Sequence, residues 1–481
     1  MTRRAWIVLG SAVAVCCGML VYSQTDAFAQ DEGFHLLAAQ SIFRGRRPYL
    51  DFMFPQTPLN AYWNAFLFQW FGDTWRTAHA GAAVLSSTGV FLIGDYVFRR
   101  FPAWQWRLGA AIAAMAVIAL NMQFVQFGTV QAYGMCVFLC AAAFRFTVTA
   151  MHRRGSVTAA AAGLCAGTAA ASSLLTAPVG PVLLVWMVVF SAARDRWRRA
   201  CAFVAGGFIA VLPILWLFVQ NPRVVFFDLV QYMMIYRRVQ WPNAAQHDVG
   251  EWTAWFGSTQ ALLTILLAIA GIAFIRYRSG WADEVRKELY LCTWLAAAIS
   301  LHVSTAHPTF VRYYLLALPF LAVLACAGLY HVADRLYRGD RPFWPVGILT
   351  VLLAGALTRV LIESHGSDMN WTDYERIAAK VDQVTPKNGS ILADEHIYFL
   401  TRRPPLEGAE SQDSHGLDLS PQMERELHIF PLKELKRRVQ AGEFDTVQTC
   451  AGENTKRDKM GLPGPYQHKE EITEDCEVYW K

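Results

Sequence analysis

The chain opens with the apolar run WIVLGSAVAVCCGMLVY at residues 6–22, and the acidic segment DEGFHLLAA follows at residues 31–39. A helix needs about 20 apolar residues to cross roughly 30 Å of hydrocarbon. The first run therefore predicts a membrane-spanning helix. Two neighbouring carboxylates, Asp31 and Glu32, would then lie directly after that helix, at the level where lipid headgroups meet water.

The composition excludes an ordinary soluble enzyme. Of the 481 residues, 54% are hydrophobic and 17% are charged, so the chain needs lipid as part of its solvent. The first lysine is Lys287, and most of the others lie beyond Pro386. We therefore predict a mainly α-helical membrane domain over residues 1–362 and a small exported α/β domain over residues 363–481.

Apolar runs long enough to span a membrane recur along the first domain, and eleven spans are predicted. They are residues 6–22, 78–98, 108–122, 128–150, 157–174, 175–190, 201–219, 259–277, 289–303, 310–331 and 343–362. The break between Leu174 and Leu175 requires a very tight turn. Loss of one helix there would invert the orientation of everything that follows.

Basic residues fall in alternate connections, as expected when short cytoplasmic loops carry the excess of Arg and Lys. These residues are Arg3, Arg4, Arg99, Arg100, Arg107, Arg153, Arg154, Arg194, Arg196, Arg198, Arg199, Arg276, Arg278, Arg286, Lys287, Arg335, Arg338 and Arg341. The pattern predicts a cytoplasmic N-terminus and an exported tail from Glu363 to Lys481. Alternatively, residues 1–29 form a cleaved signal peptide ending in Ala27-Phe28-Ala29, although its apolar run is long. Asp31 faces outward in both cases.

Two long connections lie on the outer side. Residues 23–76 contain two amphipathic pieces, about 31–43 and 59–71, and the second is rich in aromatic residues suited to the headgroup boundary. A basic turn, residues 44–48, separates them. Residues 220–258 place Arg237 and Arg238 among aromatic side chains. Arginine can meet a phosphate with paired hydrogen bonds, but the same residues would also serve as headgroup anchors.

The acidic pair has two interpretations. A positioned carboxylate can act as a general base toward a hydroxyl group, which is worth roughly 10²- to 10⁴-fold in rate. Acidic residues at the start of a helix are also favourable to the helix dipole. The residues by themselves leave both roles open for Asp31 and Glu32.

Three motifs in the first 80 residues or so resemble the GT-C membrane glycosyltransferases, in particular the protein O-mannosyltransferase and aminoarabinose transferase branch. The motifs are residues 31–39, Arg44-Gly45-Arg46-Arg47-Pro48-Tyr49, and Phe54-Pro55-Gln56-Thr57-Pro58-Leu59. The resemblance implies that Asp31 and Glu32 are the catalytic signature and that two helices of the first outer connection lie on the membrane. It also implies a sugar donor carried on polyprenyl phosphate or dolichyl phosphate and transfer with inversion.

One departure from that branch concerns the donor phosphate. The aminoarabinose enzymes typically have an acidic residue and a lysine before Pro-Pro-Leu, whereas this chain has Pro55, Gln56 and Thr57 before Pro58-Leu59. Gln56 cannot neutralise a phosphate, so aminoarabinose or lipid A is weakened as a substrate. A second family-like segment starts at His307-Pro308 and continues to Arg312-Tyr313, although a histidine there is also an ordinary surface residue. The candidates for donor contact are Arg237, Arg238, Arg312, His307, Gln56 and Arg47.

The predicted reaction is a single displacement in which Asp31 deprotonates the acceptor while arginines hold the leaving lipid phosphate. The expected setting is the periplasmic face of a bacterial inner membrane, with a lipid, glycan or protein as acceptor and membrane lipids as further partners. A flippase or transporter for lipid-linked sugars is the alternative. It would favour ionisable groups within the spans, where only Asp95, Arg145 and Arg359 come near.

Cofactors are unknown from the sequence. The chain has no Gly-x-Gly-x-x-Gly or Walker-type loop, so a nucleotide cofactor is not expected, and neither is a nucleic-acid partner. Asp31, Glu32 and His35 could share one helix face, but they lack a metal-ligand spacing, so no metal ligands are assigned and a divalent metal stays open.

The tail predicts a small α/β domain. Helices are expected at 374–384, 421–430 and 432–440, a turn at Asn388-Gly389, and strands at 390–393, 397–400 and near Val447. Asp394, Glu395 and His396 are interpreted as a solvated strand end. Cys450 and Cys476 are the two cysteines outside the predicted spans, and in an oxidising compartment they could form a disulfide.

Overall fold

The computed structural model describes residues 2–25, 27–101, 106–152, 155–192, 194–241, 243–277, 281–336, 343–364, 369–417, 419–450 and 464–481. It is mainly helical with one small sheet, which confirms the predicted fold class. Five of the arginines in the predicted cytoplasmic connections lie outside the described residues: Arg153, Arg154, Arg278, Arg338 and Arg341.

The helices of the first 364 residues cover most of the predicted apolar runs, and further helices lie between those runs. They are Arg3–Thr25, Glu32–Phe43, Leu59–Phe71, Trp75–Arg100, Arg107–Ala119, Met122–Phe127, Tyr133–His152, Val157–Ser172, Val179–Phe190, Arg196–Gln220, Pro222–Phe226, Arg237–Gln240, Ala244–Gly257, Thr259–Tyr277, Asp283–Ser304, Leu318–Leu336 and Trp344–Ser364. Residues Phe227–Tyr236 form a π-helix, and 3₁₀ turns occupy Leu174–Thr176 and Val311–Ala317. The predicted tight turn at Leu174 is therefore present.

Seven helices within the described ranges are long and apolar enough to cross a membrane. They are Arg3–Thr25, Trp75–Arg100, Tyr133–His152, Arg196–Gln220, Thr259–Arg276, Val311–Arg335 and Trp344–Ile362. Shorter apolar helices cover Arg107–Ala119, Val157–Ser172 and Leu174–Phe190. The predicted run at 289–303 lies in Asp283–Ser304, whose first two turns are charged. The count of eleven spans stays a prediction.

The chain divides into two compact units, each built from three segments. The first unit comprises Met1–Ala27, His79–Ile214 and Trp241–Gly366. The second unit comprises Phe28–Ala78, Leu215–Gln240 and Ser367–Lys481, so it combines parts of the two long connections that the sequence predicts on the outer side with the tail.

Helices in the first unit approach each other closely at glycines. A Cβ atom added at Gly271 would lie 2.2 Å from the carbonyl oxygen of Leu324, and one at Gly328 would lie 1.8 Å from that of Leu267. The helices Thr259–Tyr277 and Leu318–Leu336 are therefore in backbone contact. Small residues allow this kind of approach in membrane helices, where dispersion contacts and hydrogen bonds drive association.

Ionisable residues in the helices of the first unit pair with one another. Arg145 Nη2 lies 2.6 Å from Asp95 Oδ2, and Arg99 Nε lies 2.7 Å from the other oxygen of the same carboxylate. Glu288 is buried and accepts hydrogen bonds from Arg100 Nε at 2.8 Å and from the Tyr96 hydroxyl at 3.0 Å. These groups form local ion pairs that stabilise helix packing.

The tail folds as the predicted small α/β structure. Its helices are Trp371–Val384, Glu395–Thr401, Pro421–Glu426 and Leu432–Gln440, with a 3₁₀ turn at Gln412–Gly416. Its strands are β1 (Ile391–Leu392), β2 (Thr446–Cys450), β3 (His468–Thr473) and β4 (Cys476–Trp480). The strand order is β1-β2-β4-β3, with β1 parallel to β2 and the other pairs antiparallel.

The structure decides two predictions for the tail, the strand at 397–400 and the disulfide between Cys450 and Cys476. The predicted strand at 397–400 is wrong, because these residues belong to the helix Glu395–Thr401. The disulfide between Cys450 and Cys476 is present and links directly paired positions of β2 and β4. It lies in the core between the sheet and the helix Trp371–Val384, among buried residues such as Ile377 and Val478.

The helix Glu32–Phe43 is built into the core of the second unit. Leu37 packs with Tyr374 and Ile397 of the tail, while Ala38 shares a second cluster with Phe54 and Phe227. Full burial of a side chain such as Leu37 is worth about 1.5–3 kcal/mol. The segment that carries the acidic pair is thereby fixed from two sides.

Candidate active site

Asp31 and Glu32 have opposite environments although they are neighbours. Asp31 is the residue before the first turn of the helix Glu32–Phe43, and it is exposed. Its side chain does not cap that helix. Glu32 begins the helix and is 1% exposed. The pair therefore offers one carboxylate at the surface and one in the interior.

The buried carboxylate is held by a tryptophan from the tail. Trp371 Nε1 donates a hydrogen bond to Glu32 Oε2 at 3.3 Å. Trp371 is itself buried and stacks on Trp75, with ring centroids 5.2 Å apart and planes 7° from parallel. The indole is further fixed because it opens a helix whose preceding residue, Asn370, forms a reciprocal capping box with Asp373.

His396 lies beside the acidic pair, which the sequence did not predict. The Gly33 N–H donates to His396 Nε2 at 3.1 Å. The imidazole is buried against Tyr374, with ring centroids 4.3 Å apart, and against Phe28 at 5.5 Å. The prediction of a solvated strand end for Asp394, Glu395 and His396 is wrong, since Asp394 and His396 are both buried at the start of a helix.

Burial sets the protonation state of His396. It lowers the pKa of the imidazole to about 4, against the opposing influence of the Asp394 and Asp31 carboxylates and of the Ala29 backbone. The ring is therefore neutral near pH 7, which leaves a nitrogen lone pair to accept the Gly33 N–H. A Cβ atom at position 33 would lie 2.6 Å from His396 Nδ1, so only glycine fits against the ring.

The loop that carries Gln56 is fixed by two buried polar groups. Asp228 Oδ2 accepts a hydrogen bond from the Phe54 N–H at 2.8 Å, and the Tyr49 hydroxyl donates to the Gln56 carbonyl at 2.7 Å. Burial raises the pKa of Asp228 well above its usual range, with the Phe54 hydrogen bond opposing. Asp228 belongs to the π-helix Phe227–Tyr236, and π-helical turns often occur at functional sites. Asp228 is not among the residues that the sequence motifs predicted.

The predicted arginines of the second unit differ in their contacts. Arg47 forms an ion pair with Asp51, at 2.9 Å between Nη2 and Oδ1, and Arg47 Nη1 donates to Gln220 at 3.1 Å. Arg237 and Arg238 follow the π-helix directly, and Arg238 is exposed. The structure thus brings six predicted residues into one unit: Asp31, Glu32, Arg47, Gln56, Arg237 and Arg238.

His307 and Arg312 belong to the first unit. His307 Nδ1 lies 2.7 Å from Asp248 Oδ2, and the Thr309 N–H donates to the other oxygen of that carboxylate at 2.8 Å. The Arg312 guanidinium lies over the Phe310 ring, 4.2 Å from its centroid. Asp248 therefore orients the His307 ring. Like Asp228, Asp248 is an acid that the sequence motifs did not predict as part of the site.

No group of three or more His, Cys, Asp or Glu side chains is placed to hold a metal ion among the residues that the structure describes. Asp31, Glu32 and His35 therefore do not constitute such a group.

The fold is that of the GT-C membrane glycosyltransferases, as solved structures show. ArnT from Cupriavidus metallidurans in the apo state matches with a TM-score of 0.70 at 15% sequence identity, over 99% of this chain and 97% of that chain. The same protein bound to undecaprenyl phosphate matches with a TM-score of 0.68 at 16% identity, over 99% and 98%. The apo oligosaccharyltransferase of Archaeoglobus fulgidus gives 0.56 at 14% identity, over 95% of this chain and 71% of that chain.

These matches confirm the GT-C fold that the motifs of the first outer connection predicted. At such identities the likeness is one of fold. No protein-family model matches the chain, and no curated protein matches its sequence.

Proposed function

We propose that the protein is an inverting glycosyltransferase that moves a monosaccharide from a polyprenyl-phosphate carrier to a lipid, glycan or protein acceptor. The reaction takes place on the periplasmic face of a bacterial inner membrane, and its products belong to the cell envelope. One solved relative in fold is described as bound to undecaprenyl phosphate and matches along nearly the whole chain, which supports a carrier of that class.

The observation that carries the proposal is the division of the acidic pair. The Asp31 carboxylate is exposed at the start of a helix, whereas Glu32 is buried and hydrogen-bonded to Trp371. We assign the general base to Asp31, because a base has to reach the acceptor hydroxyl. Glu32 fixes the turn from which Asp31 projects.

The bond changes follow from a single displacement. Asp31 takes the proton of the acceptor hydroxyl as its oxygen bonds to the anomeric carbon of the sugar, and the bond from that carbon to the phosphate oxygen breaks. The polyprenyl phosphate leaves with the electron pair and carries the developing negative charge. Positive side chains that meet this charge lower the barrier.

We assign the contacts to the departing phosphate to Arg237 and Arg238 first. They directly follow the π-helix that holds the Gln56 loop through Asp228, and Arg238 is exposed. Arg47 is a weaker candidate because Asp51 already pairs with it. Arg312 and the Asp248-oriented His307 are further donor-binding candidates, and Gln56 would contribute hydrogen bonds without charge.

Separate Asp31→Asn and Glu32→Gln variants test the proposal. Each is produced in a strain that lacks the gene, and intact masses of envelope glycolipids, glycans and proteins are compared with those of the wild type. Asp31→Asn is expected to remove the modification, with a loss on the order of 10²- to 10⁴-fold, while Glu32→Gln reduces it less.

A matched control is Asp382→Asn, which removes an acid on the exposed side of the helix Trp371–Val384, where it pairs with Arg403. It should leave the modification unchanged. Full modification in the Asp31→Asn strain would refute the catalytic assignment. Accumulation of the sugar donor on the cytoplasmic face of the membrane would favour a flippase, because loss of a transferase leaves the donor on the periplasmic face.

A further inference from the structure

The imidazole of His396 bridges the backbone on both sides of the acidic pair. After the acidic pair, the Gly33 N–H donates to His396 Nε2 at 3.1 Å. Before the acidic pair, the backbone of Ala29 interacts with the same ring. Asp31 and Glu32 lie between these two contacts. The turn from Ala29 to Gly33 is therefore closed by a side chain that is 363 positions away from Gly33 in the chain.

The ring cannot shift without disturbing its surroundings. It stacks on Tyr374 and lies against the edge of Trp371, with ring centroids 4.3 and 5.4 Å apart. Trp371 is also the donor to Glu32. One aromatic cluster thus holds the backbone of the acidic turn through His396 and the Glu32 side chain through Trp371.

Glycine at position 33 is the other half of this arrangement. The place of a Cβ atom is filled by the ring, 2.6 Å from Nδ1 and 2.7 Å from the His396 backbone nitrogen. The first turn of the helix and the ring are complementary in shape as well as in hydrogen bonding. Such close packing is characteristic of sites where a reacting group must be held within a fraction of an ångström.

We propose that His396 is a positioning residue of the transferase reaction, which holds Asp31 at the angle needed to receive the acceptor proton. The proposal rests on the function proposed above. It makes the tail part of the catalytic apparatus, since a side chain of the tail sets the geometry of a carboxylate in the first outer connection.

The test compares two replacements of His396 in the full chain. His396→Phe keeps an aromatic ring of similar size but removes the acceptor for the Gly33 N–H. His396→Gln places an amide oxygen near the position of Nε2 and so restores the acceptor. His468→Phe is the matched control, because this exposed histidine of the same unit also stacks on an aromatic ring, that of Trp480 at 5.4 Å.

Three readouts are needed. The extent of envelope modification reports transfer, retention of undecaprenyl phosphate in native mass spectrometry reports carrier binding, and hydrogen exchange of the peptide covering residues 29–35 reports the order of the acidic turn. For His396→Phe we expect transfer to fall on the order of 10²-fold, faster exchange in that peptide, and carrier retention within about twofold. Transfer by His396→Gln should be at least about tenfold higher than transfer by His396→Phe.

Several outcomes decide the matter. If Asp31→Asn is inactive but His396→Phe transfers sugar at the wild-type level, the positioning role is overturned. A folded His396→Gln that is as inactive as Asp31→Asn would overturn it too, and this variant keeps the test valid if His396→Phe fails to fold. Active Asp31→Asn would instead defeat the proposed function, while the hydrogen-exchange comparison would still show whether His396 orders the turn.

Discussion

The indole of Trp371 donates to the carboxylate of Glu32 across 339 positions of sequence, with 3.3 Å between Nε1 and Oε2. Both side chains are buried, so this hydrogen bond is shielded from water. It couples the start of the helix Glu32–Phe43 to the first helix of the tail. Both residues belong to the second unit, whose core contains this contact.

Replacing Trp371 by Phe should weaken both stability and transfer. The variant keeps an apolar ring but deprives the buried Glu32 carboxylate of this donor, which costs about 1–3 kcal/mol. We expect a lower thermal midpoint in detergent and reduced envelope modification. Trp480→Phe is the control, because it shortens a partly buried indole of the same unit without removing a hydrogen bond to Glu32. It should lower the midpoint less and leave the modification unchanged. An unchanged midpoint for Trp371→Phe would contradict the importance of the contact.

Asp228 should make stability depend on pH. Burial raises the pKa of this carboxyl in the folded state, so in the range between its usual pKa and the raised one the unfolded chain holds fewer protons. Stability contributed by the protonated group is therefore lost as the pH rises. Asp228→Asn removes that dependence and still offers an oxygen to the Phe54 N–H. Between about pH 5 and pH 8, the thermal midpoint of the wild type should fall relative to this variant.

Asp228→Leu provides the contrast, because it leaves the buried Phe54 N–H without its acceptor. Relative to Asp228→Asn, the cost is expected at about 1–3 kcal/mol at every pH, because neither variant carries the titrating carboxyl. A difference between wild type and Asp228→Asn that stayed constant with pH would show that Asp228 is ionised in the folded protein.

The ion pair between Arg46 and Glu410 should matter more than the others on the surface of the second unit. Arg46 Nη2 lies 2.6 Å from Glu410 Oε1, and the side chains are 32% and 3% exposed. Arg46→Ala leaves a buried carboxylate without its cation. We expect a loss of about 2–4 kcal/mol, below the upper end for a fully buried pair because water reaches Arg46.

Arg223→Ala is the matched control for Arg46→Ala, since Arg223 pairs with Glu426 at 2.6 Å but is 63% exposed. Its loss should cost about 0–1 kcal/mol. Addition of Glu410→Gln to Arg46→Ala should recover part of the lost stability. Equal thermal midpoints for the two arginine variants would contradict the assigned burial of Glu410.

The disulfide between Cys450 and Cys476 should stabilise the tail in an oxidising compartment. It closes a loop with a sequence separation of 26, for which the chain-entropy estimate is about 3 kcal/mol. Cys450→Ser combined with Cys476→Ser should lower the thermal midpoint, and dithiothreitol should lower that of the wild type similarly. Cys201→Ser, at an exposed free cysteine, should have no effect. A wild-type midpoint that resists reductant while the double variant falls would point to packing of the sulfur atoms.

Local patterns predicted the helices of the first outer connection and several of the tail. The helix Leu59–Phe71 has the predicted bounds because Pro58 and Gly72 delimit an apolar run, and Leu432–Gln440 likewise ends shortly before Gly442. The run at 397–400 was assigned wrongly because four apolar residues carry no period that separates a strand from a buried helix. Strand β3 was missed since most of its residues are exposed and polar.

In the candidate site too, residues within a local motif were predicted, whereas residues that act through long-range contacts were not. Asp31 and Glu32 were found through a motif within nine consecutive residues, whereas His396 and Asp228 act on partners 363 and 174 positions away. A pattern of neighbouring residues cannot predict contacts between residues so far apart in the sequence. Two weak signals were nevertheless present: a glycine in the first turn of an apolar helix, Gly33, which indicates close approach of another group, and a lone acid in the apolar run around Phe227.

The three-segment construction of the second unit has a consequence for biogenesis. A ribosome releases Asp31 and Glu32 early, but Trp371 and His396 emerge more than three hundred residues later. Until then the Gly33 N–H and the Glu32 carboxylate lack these two partners, so the acidic turn reaches the arrangement described above only once the tail has been synthesised.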